Sequence, residues 1–288
     1  MHEMDRVETT FRAAGDTDMR SGADTGPGVN GRTRLFAVLG DPVAQVMAPT
    51  MMNRLFAERS VDAVLVPVEV SPGDLDAVVD GLKRIGNLDG FLVTVPHKLA
   101  LCRHADRLGD AARLAGSVNA MRREADGTWA GDNFDGEGFV RGLRGAGRPA
   151  AGKRFSLVGA GGAGVSIAAA VLQAGAAALS IVDIDGSRAE ALAARLGERW
   201  PGLARAAEIP DPASDVVVNA TPLGLRDGEP LPFALDGLRA ATIIADIIMK
   251  PAETRLLREA AARGLGTHPG LPMLSEQIPL YREFFRIP

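Results

Sequence analysis

Residues 154–164 read RFSLVGAGGAG, in which a predicted apolar strand runs directly into a glycine-rich turn. An alanine-rich segment from Ala163 to Ala174 follows and is typical of a helix. Glycines let the backbone approach a pyrophosphate, and the N-terminus of the following helix supplies free N–H groups and the positive end of a dipole. The order strand, glycine turn, helix therefore predicts a dinucleotide-binding domain of the Rossmann type. A glycine-rich turn that serves only close packing is the alternative.

A second signal for the cofactor lies at the end of the next predicted strand, Ser180 to Val182. Asp183 stands 24 residues after Gly159, close to the spacing at which an acidic side chain meets the adenosine ribose. A carboxylate there accepts hydrogen bonds from the ribose hydroxyls and repels a 2′-phosphate, and no arginine follows it at once. We therefore predict NAD as the cofactor, with NADP as the less favoured alternative.

A third signal follows the predicted strand from Asp215 to Asn219. Strand ends face the ligand crevice in open parallel sheets, so the turn after this strand is expected beside the nicotinamide half of the cofactor. The alternative is that Asn219 and Thr221 only cap that turn. The cofactor-binding residues predicted from the three signals are Gly159, Ala160, Gly161, Gly162, Ala163, Asp183, Asn219, Ala220 and Thr221.

Strands and helices alternate along the chain from residue 34, which predicts an α/β protein with mostly parallel sheets. The strand Val64 to Val70 contains Pro67, and we expect it at a sheet edge because proline cannot donate to a ladder. Lys98 to Leu108 is predicted to be a helix. A glycine- and proline-rich segment at 145–149 separates two such series, so we predict two α/β domains joined near residues 136–150.

The stretch GFLVTVPHK, residues 90–98, ends a buried strand with a proline and a lysine. Lys98 is one of only four lysines in a chain whose positive charge is mostly arginine. An amine can take or give a proton when burial or neighbouring charges bring its pKa toward neutrality, whereas arginine stays protonated. The position favours a proton-transfer role for Lys98, although a lone lysine at a helix start is usually solvated.

The composition excludes several classes of function. A net charge of −4, a pI of about 5.7 and scattered basic residues do not favour nucleic-acid or membrane binding. One cysteine, Cys102, excludes an internal disulfide and a cysteine-rich metal site, and the four histidines lack zinc-ligand spacing. Residues 1–32 are predicted to be a disordered leader without a signal sequence, and we expect a cytoplasmic protein.

Six motifs in order make the chain resemble the shikimate/quinate dehydrogenase family over residues 35–285. They are TVPHK (94–98), AGSVN (115–119), GDNFDGEG (131–138), GAGGAG (159–164), NATPLG (219–224) and GLPML with Gln277 (270–277). The resemblance implies reversible oxidation of a ring alcohol. It also implies an N-terminal substrate-binding domain, residues 33–136, completed by the C-terminal helix 270–288, and a Rossmann domain, residues 137–269.

The family's functional residues fall on defined positions of this sequence. The resemblance implies that Lys98 and Asp135 are the catalytic pair, the carboxylate orienting the amine. It further implies that Thr94, Asn119 and Gln277 bind the substrate. The family's substrate positions also include Val46, Ala48 and Phe134, and its cofactor positions include Met249 and Gly270.

Several family positions have lost their polar side chains. Val46 and Ala48 stand where the family carries two serines that hold the substrate carboxylate. In the same direction, Leu92 replaces an asparagine, Phe134 a threonine and Met249 a tyrosine, while Ile278 replaces a glycine. A site loses about 1–3 kcal/mol of preference for each lost hydrogen bond to a charged group. We therefore expect the chemistry to be kept and the substrate to be less polar than shikimate.

The favoured hypothesis is an NAD-dependent alcohol dehydrogenase that acts on a small cyclic hydroxy compound. One alternative is a true shikimate or quinate dehydrogenase that holds the carboxylate with other groups. A second is a nucleotide-binding sensor that kept the fold and lost turnover, against which the joint presence of Lys98, Asn119 and Asp135 argues. No metal is expected, and a homodimer is the only protein partner considered.

Overall fold

The computed structural model describes residues 28–226 and 228–288, which form two six-stranded sheets flanked by helices. The predicted α/β class with a Rossmann-type second part is confirmed. Residues 1–27 of the predicted leader lie outside the described residues. None of the helices in the described ranges is both long and apolar enough to cross a membrane.

The first sheet is mixed and has the strand order β2-β1-β3-β5-β6-β4. Strands β2, β1 and β3 run parallel to one another, and β5 runs antiparallel to its neighbours β3 and β6. Pro67 lies in β2 at the edge of the sheet, as predicted, where its missing N–H costs no ladder bond. The strands are β1 (Arg34–Gly40), β2 (Ala63–Glu69), β3 (Leu88–Val93), β4 (Arg107–Leu108), β5 (Ala120–Arg123) and β6 (Trp129–Asp132).

Three helices accompany this sheet, namely α1 (Ala48–Glu58), α2 (Leu75–Leu82) and α3 (Asp110–Ala115). The helix predicted from Lys98 to Leu108 is wrong in its second half. A 3-10 helix spans Ala100–His104, and Arg107 and Leu108 then pair in parallel with β6. Residues 107 and 108 are extended because they pair with the free edge of β6. The local sequence pattern cannot reveal such a tertiary partner.

The second sheet is entirely parallel and has the order β12-β11-β10-β7-β8-β9. Its central strands read as continuous apolar runs because helices cover both faces. The strands are β7 (Arg154–Val158), β8 (Ala178–Val182), β9 (Ala204–Ala206), β10 (Val216–Asn219), β11 (Ile243–Asp246) and β12 (Gly266–His268), and the helices are α5 (Gly162–Gln173), α6 (Gly186–Gly197) and α7 (Arg255–Ala262).

Two further helices, α4 (Asp135–Gly145) and α8 (Leu271–Phe284), connect the two sheets. They pack closely because α4 has glycines at the contact: a Cβ at Gly138 would lie 2.4 Å from the carbonyl oxygen of Met273. Beyond α8 the chain reaches the first sheet, where the Phe285 ring meets the Phe36 ring edge to face at 5.1 Å. The C-terminal segment therefore contacts the sheet that holds residues 34–132.

Candidate active site

A buried ion pair lies where β3 and α4 approach each other. The Nζ atom of Lys98 donates to Oδ2 of Asp135 at 2.6 Å, and the side chains are only 10% and 4% exposed. Lys98 follows the turn after β3, and Asp135 is the first residue of α4, where the positive end of the helix dipole favours a carboxylate. The two predicted catalytic residues are thus brought into hydrogen-bonding contact.

Asn119 joins this pair to α8. Its Nδ2 atom lies 3.0 Å from Oδ1 of Asp135, 3.0 Å from Oε1 of Gln277 and 3.1 Å from the hydroxyl of Tyr281. Its Oδ1 atom accepts the backbone N–H of Phe134 at 3.0 Å, which fixes the orientation of the amide. We call Lys98, Asn119, Asp135, Gln277 and Tyr281 the polar half of the site.

Tyr281 was missed by the sequence reasoning, although it lies one helical turn after Gln277. Its hydroxyl donates to Oε1 of Gln277, and the residue is 4% exposed. Burial, and secondly the charge of Asp135, hold the pKa of Tyr281 well above its ordinary value, so the phenol stays protonated. Its place in the chain, four residues after a predicted site residue on the same helix, was the available signal.

A second buried network, also missed, joins the first sheet to the helix of the glycine turn. Ser166 in α5 donates to Oδ1 of Asn133 at 2.8 Å and accepts the backbone N–H of Gly136 at 3.0 Å. Asn133 in turn donates to the hydroxyl of Ser117 at 2.9 Å, and that hydroxyl donates to the carbonyl of Gly162 at 2.8 Å. The start of α4 is therefore held against the glycine turn.

The glycine turn lies directly beside Lys98. A Cβ at Gly162 would lie 2.7 Å from Cβ of Lys98, so only glycine allows this approach. Gly159 has φ +104°, a region that favours glycine, and a Cβ at Gly164 would lie 1.9 Å from the Gly159 carbonyl oxygen. Open space surrounds the Cβ position of Gly161. This geometry fits a pyrophosphate at the N-terminus of α5, with Ala160 and Ala163 in the same turn.

Asp183 does not present a free carboxylate to a ribose. Its Oδ2 atom accepts the backbone N–H of Ala160 at 2.7 Å, and its Oδ1 atom accepts that of Asp185 at 3.0 Å. Both oxygens thus serve the backbone of the turns around them. The spacing on which the NAD prediction rests correctly places Asp183 at the end of β8. A spacing carries no information about the hydrogen bonds of the side chain, which here go to the backbone.

Asn219 and Thr221 use their side chains to hold the turn after β10. Oδ1 of Asn219 accepts both the N–H and the hydroxyl of Thr221, and its Nδ2 donates to Asp246 at 3.1 Å. The capping alternative therefore describes these side chains, and the backbone of the turn, including Ala220, borders the glycine turn at Gly159. Burial raises the pKa of Asp246, whose partners are neutral groups.

The positions at which this chain departs from the family's pattern lie in one hydrophobic cluster. Ala48 is buried in it at the start of α1, and its half-buried members include Val46, Met47, Phe134, Met249 and Ile278. We call these six residues the apolar half of the site. Phe134 links the two halves, because its ring meets Tyr281 edge to face at 5.6 Å.

Two predicted site residues lie outside these networks. Thr94 follows β3 and is half-buried, and its methyl group faces Gly40 rather than the polar half. Gly270 precedes α8 and packs closely against the backbone that follows β11. A Cβ at this position would lie 2.5 Å from the carbonyl oxygens of Ile247 and Ile248. Among the described residues no group of three or more histidine, cysteine or acidic side chains could hold a metal ion.

The arrangement allows Lys98 to give or take a proton beside the glycine turn. Lys98 holds exchangeable protons in a site from which water is largely excluded, and Asp135 and Asn119 fix its position. A group of this kind contributes about 10²–10⁴-fold to a reaction that takes up or releases a proton. The site therefore has the parts that hydride transfer to or from a carbon–oxygen bond requires.

Comparison with known proteins agrees with this geometry. Residues 38–121 match the model of the shikimate dehydrogenase substrate binding domain. The chain is 41% identical to the shikimate dehydrogenase (NADP+) of Rubrobacter xylanophilus over 260 residues, 87% of this chain and 90% of that protein. A solved shikimate dehydrogenase in complex with NADP+ superposes with a TM-score of 0.83 at 30% identity, covering 91% of this chain and 93% of the other.

A third relative is the ligand-free 5-ketofructose reductase of Gluconobacter sp. strain CHM43. It superposes with a TM-score of 0.78 at 32% identity, covering 89% of this chain and 94% of that chain. The prediction of NAD is wrong against these findings, because the curated relatives are named as NADP+ enzymes. The prediction assigned the Asp183 carboxylate to the adenosine ribose, whereas both of its oxygens accept backbone N–H groups of the neighbouring turns.

Proposed function

Because this chain belongs to the shikimate/quinate dehydrogenase family, we propose that it transfers hydride between NADP and a secondary alcohol of a small cyclic hydroxy compound. The observation that carries the proposal is the 2.6 Å contact between Nζ of Lys98 and Oδ2 of Asp135 inside a buried network. The backbone N–H of Asp135 donates to Oδ1 of Asn133 at 2.9 Å, and this bond joins the pair to the second network, which ends at the Gly162 carbonyl in the glycine turn. A proton-transfer group and a pyrophosphate site are thus adjacent.

The reaction divides between the cofactor and the chain's own residues. Oxidation removes a hydride from the ring carbon, which bound NADP+ accepts, and a proton from its oxygen. For oxidation Lys98 must be the neutral amine, which takes that proton at Nζ and becomes the ammonium paired with Asp135; in the reducing direction the ammonium gives a proton to the carbonyl oxygen and is left neutral. Asp135 keeps the amine aimed at that oxygen and balances its charge, and Asn119 holds the carboxylate.

The apolar half supports a substrate that does not depend on its carboxylate. Val46 and Ala48 offer no hydroxyl, and their neighbours Phe134, Met249 and Ile278 offer no side-chain donor. A carboxylate left without donors keeps its desolvation cost. A keto sugar such as the one named for the Gluconobacter relative has no carboxylate, which is consistent with this substrate class. A true shikimate or quinate dehydrogenase remains the second candidate.

Arg188 is the residue we propose for the 2′-phosphate of NADP. It stands in the first turn of α6, just after β8, and its guanidinium lies 3.5 Å from the Asp185 carboxylate. The side chain is 64% exposed and can therefore turn toward a phosphate. The N-terminus of α6 adds backbone N–H groups that favour an anion.

We further propose the division of labour between the two parts of the chain. Residues 33–136 with the C-terminal segment 270–288 form the substrate part, and residues 137–269 form the cofactor part. The contact of Phe285 with Phe36 and the Asn119–Gln277 hydrogen bond support the inclusion of the C-terminal segment.

A substrate screen tests the proposal. The panel contains shikimate, quinate, methyl shikimate, myo-inositol, trans-cyclohexane-1,2-diol and cyclohexanol, each with NADP+, and the readout is absorbance of the reduced cofactor. We expect turnover of at least one uncharged member, with Lys98→Ala as the inactive control. Absence of turnover with every member, while NADP+ still binds in calorimetry, would overturn the proposed function.

A further inference from the structure

Residues 117–119 form a short segment between α3 and β5, and each of the three holds a different part of the site. The third residue donates its side-chain amide to the Asp135 carboxylate at 3.0 Å. The second, Val118, donates its backbone N–H to the carbonyl of Lys98 at 2.9 Å. The first, Ser117, donates its hydroxyl to a carbonyl of the glycine turn at 2.8 Å. One segment thus joins both members of the ion pair to the glycine turn.

The segment starts from a fixed point at the end of α3. Gly116 ends this helix in the left-handed region, with φ +63°. The backbone N–H groups of Gly116 and Ser117 both donate to the Ala112 carbonyl, at 2.8 and 3.3 Å. The Ser117 side chain is also completely buried. Its hydroxyl therefore has one position from which to reach the glycine turn.

Gly162 lies between the Ser117 hydroxyl and the side chain of Lys98. A Cβ at Gly162 would lie 2.7, 3.4 and 3.3 Å from Cβ, Cγ and Cδ of Lys98, so the aliphatic part of the lysine runs along this glycine. Ser117 holds the same residue by its carbonyl. Gly162 is the first residue of α5, where the geometry fits a pyrophosphate. The two contacts therefore fix the glycine turn relative to Lys98.

The Gly162 carbonyl does not need the Ser117 proton for its own pairing. At the start of a helix the N–H groups lack partners, whereas the carbonyls pair within the helix. Loss of the hydroxyl would also leave Asn133 with one of its two bonds, because its Nδ2 atom donates to the Ser117 carbonyl at 3.1 Å. No backbone group becomes unpaired, so a chain without this hydroxyl should fold. The hydroxyl contributes a position rather than a missing partner.

We propose that Ser117 is a positioning residue, which couples the glycine turn and the cofactor bound there to Lys98 and Asp135. This inference rests on the proposed function. Oxidation removes a hydride and a proton from one carbon–oxygen group, so the hydride acceptor and the amine must keep a fixed separation. A misplacement of about 1 Å lowers such a rate by up to about 10²-fold. Ser117 touches neither the cofactor nor the reacting atoms and acts through Gly162.

The variant Ser117→Ala tests the effect on turnover. The assay uses NADP+ and the member of the substrate panel that the native enzyme oxidises fastest. We expect kcat to fall by about tenfold to hundredfold, because the cofactor then lacks a fixed distance to the amine. KM for the alcohol and for NADP+ should stay within about twofold of native, since the hydroxyl is bonded to Gly162 and offers no donor to a ligand. A kcat within about twofold of native would overturn the inference.

Ser156→Ala is the matched control for the loss of a buried serine hydroxyl. Ser156 lies in β7 and is as completely buried as Ser117. Its hydroxyl pairs with that of Ser214 at 2.8 Å and accepts the backbone N–H of Asp211 at 2.9 Å, so it holds no residue of the ion pair. This variant should lower Tm and keep the native kcat. An equal fall of kcat in both variants would overturn the inference.

Amide hydrogen exchange, followed by NMR with NADP+ alone, tests the coupling without a substrate. The Val165 N–H, which donates to the Gly161 carbonyl at 2.9 Å, reports on the glycine turn, and the Val118 N–H reports on Lys98. In the native protein saturating NADP+ should slow both exchange rates by about fivefold, the value of one hydrogen bond. In Ser117→Ala the slowing at Val165 should remain and that at Val118 should be lost. Equal slowing at Val118 in the two proteins would overturn the inference.

The native protein alone covers the case in which Ser117→Ala does not fold. Calorimetric binding of NADP+ with slowing at Val165 and none at Val118 would overturn the inference. Slowing at both amides without turnover of any panel member counts against the proposed function and supports the coupling. Turnover with a native kcat in Ser117→Ala counts only against the role of Ser117.

Discussion

The two halves of the site differ in how tightly their residues are constrained. In the polar half each side chain is held by named hydrogen bonds of 2.6–3.1 Å and is nearly inaccessible to solvent. In the apolar half the side chains share a hydrophobic cluster, and most are half-buried with no directional contacts. Under the proposed function, proton transfer depends on the fixed geometry of the polar half, whereas the rest of the substrate ring meets only a surface of suitable polarity.

The contrast predicts that substitutions are tolerated better in the apolar half than in the polar half. Replacing Val46 changes the polarity of the surface that a ligand meets, and the cluster around it adapts by repacking. Replacing Asp135 would leave Lys98 buried without a partner, and breaking a buried pair costs about 3–5 kcal/mol. The experiments that follow test this contrast, beginning with the largest expected effect.

Removal of the amine should have the largest effect. Lys98→Ala is expected to lower kcat by about 10²–10⁴-fold because the proton then lacks a positioned group. Binding of NADP+, measured by calorimetry, should stay within about twofold of the native value. Lys153→Ala removes an exposed lysine of the cofactor part and serves as the control. A near-native kcat in Lys98→Ala would show that the polar half does not supply the proton-transfer group.

Removal of the carboxylate charge should have the next largest effect. Asp135→Asn keeps the shape of the side chain but leaves Lys98 without its ionic partner, so we expect kcat to fall by about 10²-fold. Asp110→Asn, which removes the carboxylate of an exposed pair with Arg113, should leave kcat unchanged. An equal response of the two variants in steady-state kinetics would contradict a special role for the buried pair.

Restoring the two hydroxyls of the apolar half should change preference without changing chemistry. The double variant Val46→Ser/Ala48→Ser should raise the ratio of kcat/KM for shikimate to that for methyl shikimate by about tenfold or more, because two donors then face the carboxylate. The kcat for methyl shikimate should stay close to native. A fall in kcat for both compounds, with no change in their ratio, would show that the apolar half also shapes the reacting geometry.

A change on the cofactor side should have the smallest effect and should leave both halves unaltered. Arg188→Ala removes an exposed cation, and we expect KM for NADP+ to rise by about threefold to tenfold. The relative rates for the panel alcohols should not change. Arg199→Ala, in which an exposed arginine stacked on Trp200 is removed, provides the comparison. An unchanged KM in Arg188→Ala would exclude that residue from the 2′-phosphate site.

Much of the fold could be predicted because its signals are local. The glycine turn after β7 and the apolar runs of the buried parallel strands consist of consecutive residues, so each can be recognised from a short stretch of sequence. The segment after Lys98 could not be predicted in this way, since a strand edge distant in sequence decides its conformation.

The site was predictable to the extent that motifs carry it. Lys98 and Asp135 lie in recognisable stretches, and the structure brings them together. The engagement of Asp183 by backbone N–H groups depends on the path of two turns, so its spacing alone led to the wrong cofactor. Tyr281 has no motif of its own, and only its place one helical turn after Gln277 on α8 points to it.

The hydrogen bonds from Asn119 to α8 join residues 158 and 162 positions apart. Contacts of such long range form late in folding, because the entropy of closing the intervening chain is lost before they contribute. The whole second sheet lies within that loop, so its formation shortens the flexible chain that must be closed before Gln277 and Tyr281 reach Asn119. A nascent chain that has already released Lys98 and Asp135 from the ribosome lacks the α8 partners of Asn119 until residues 277 and 281 have been made.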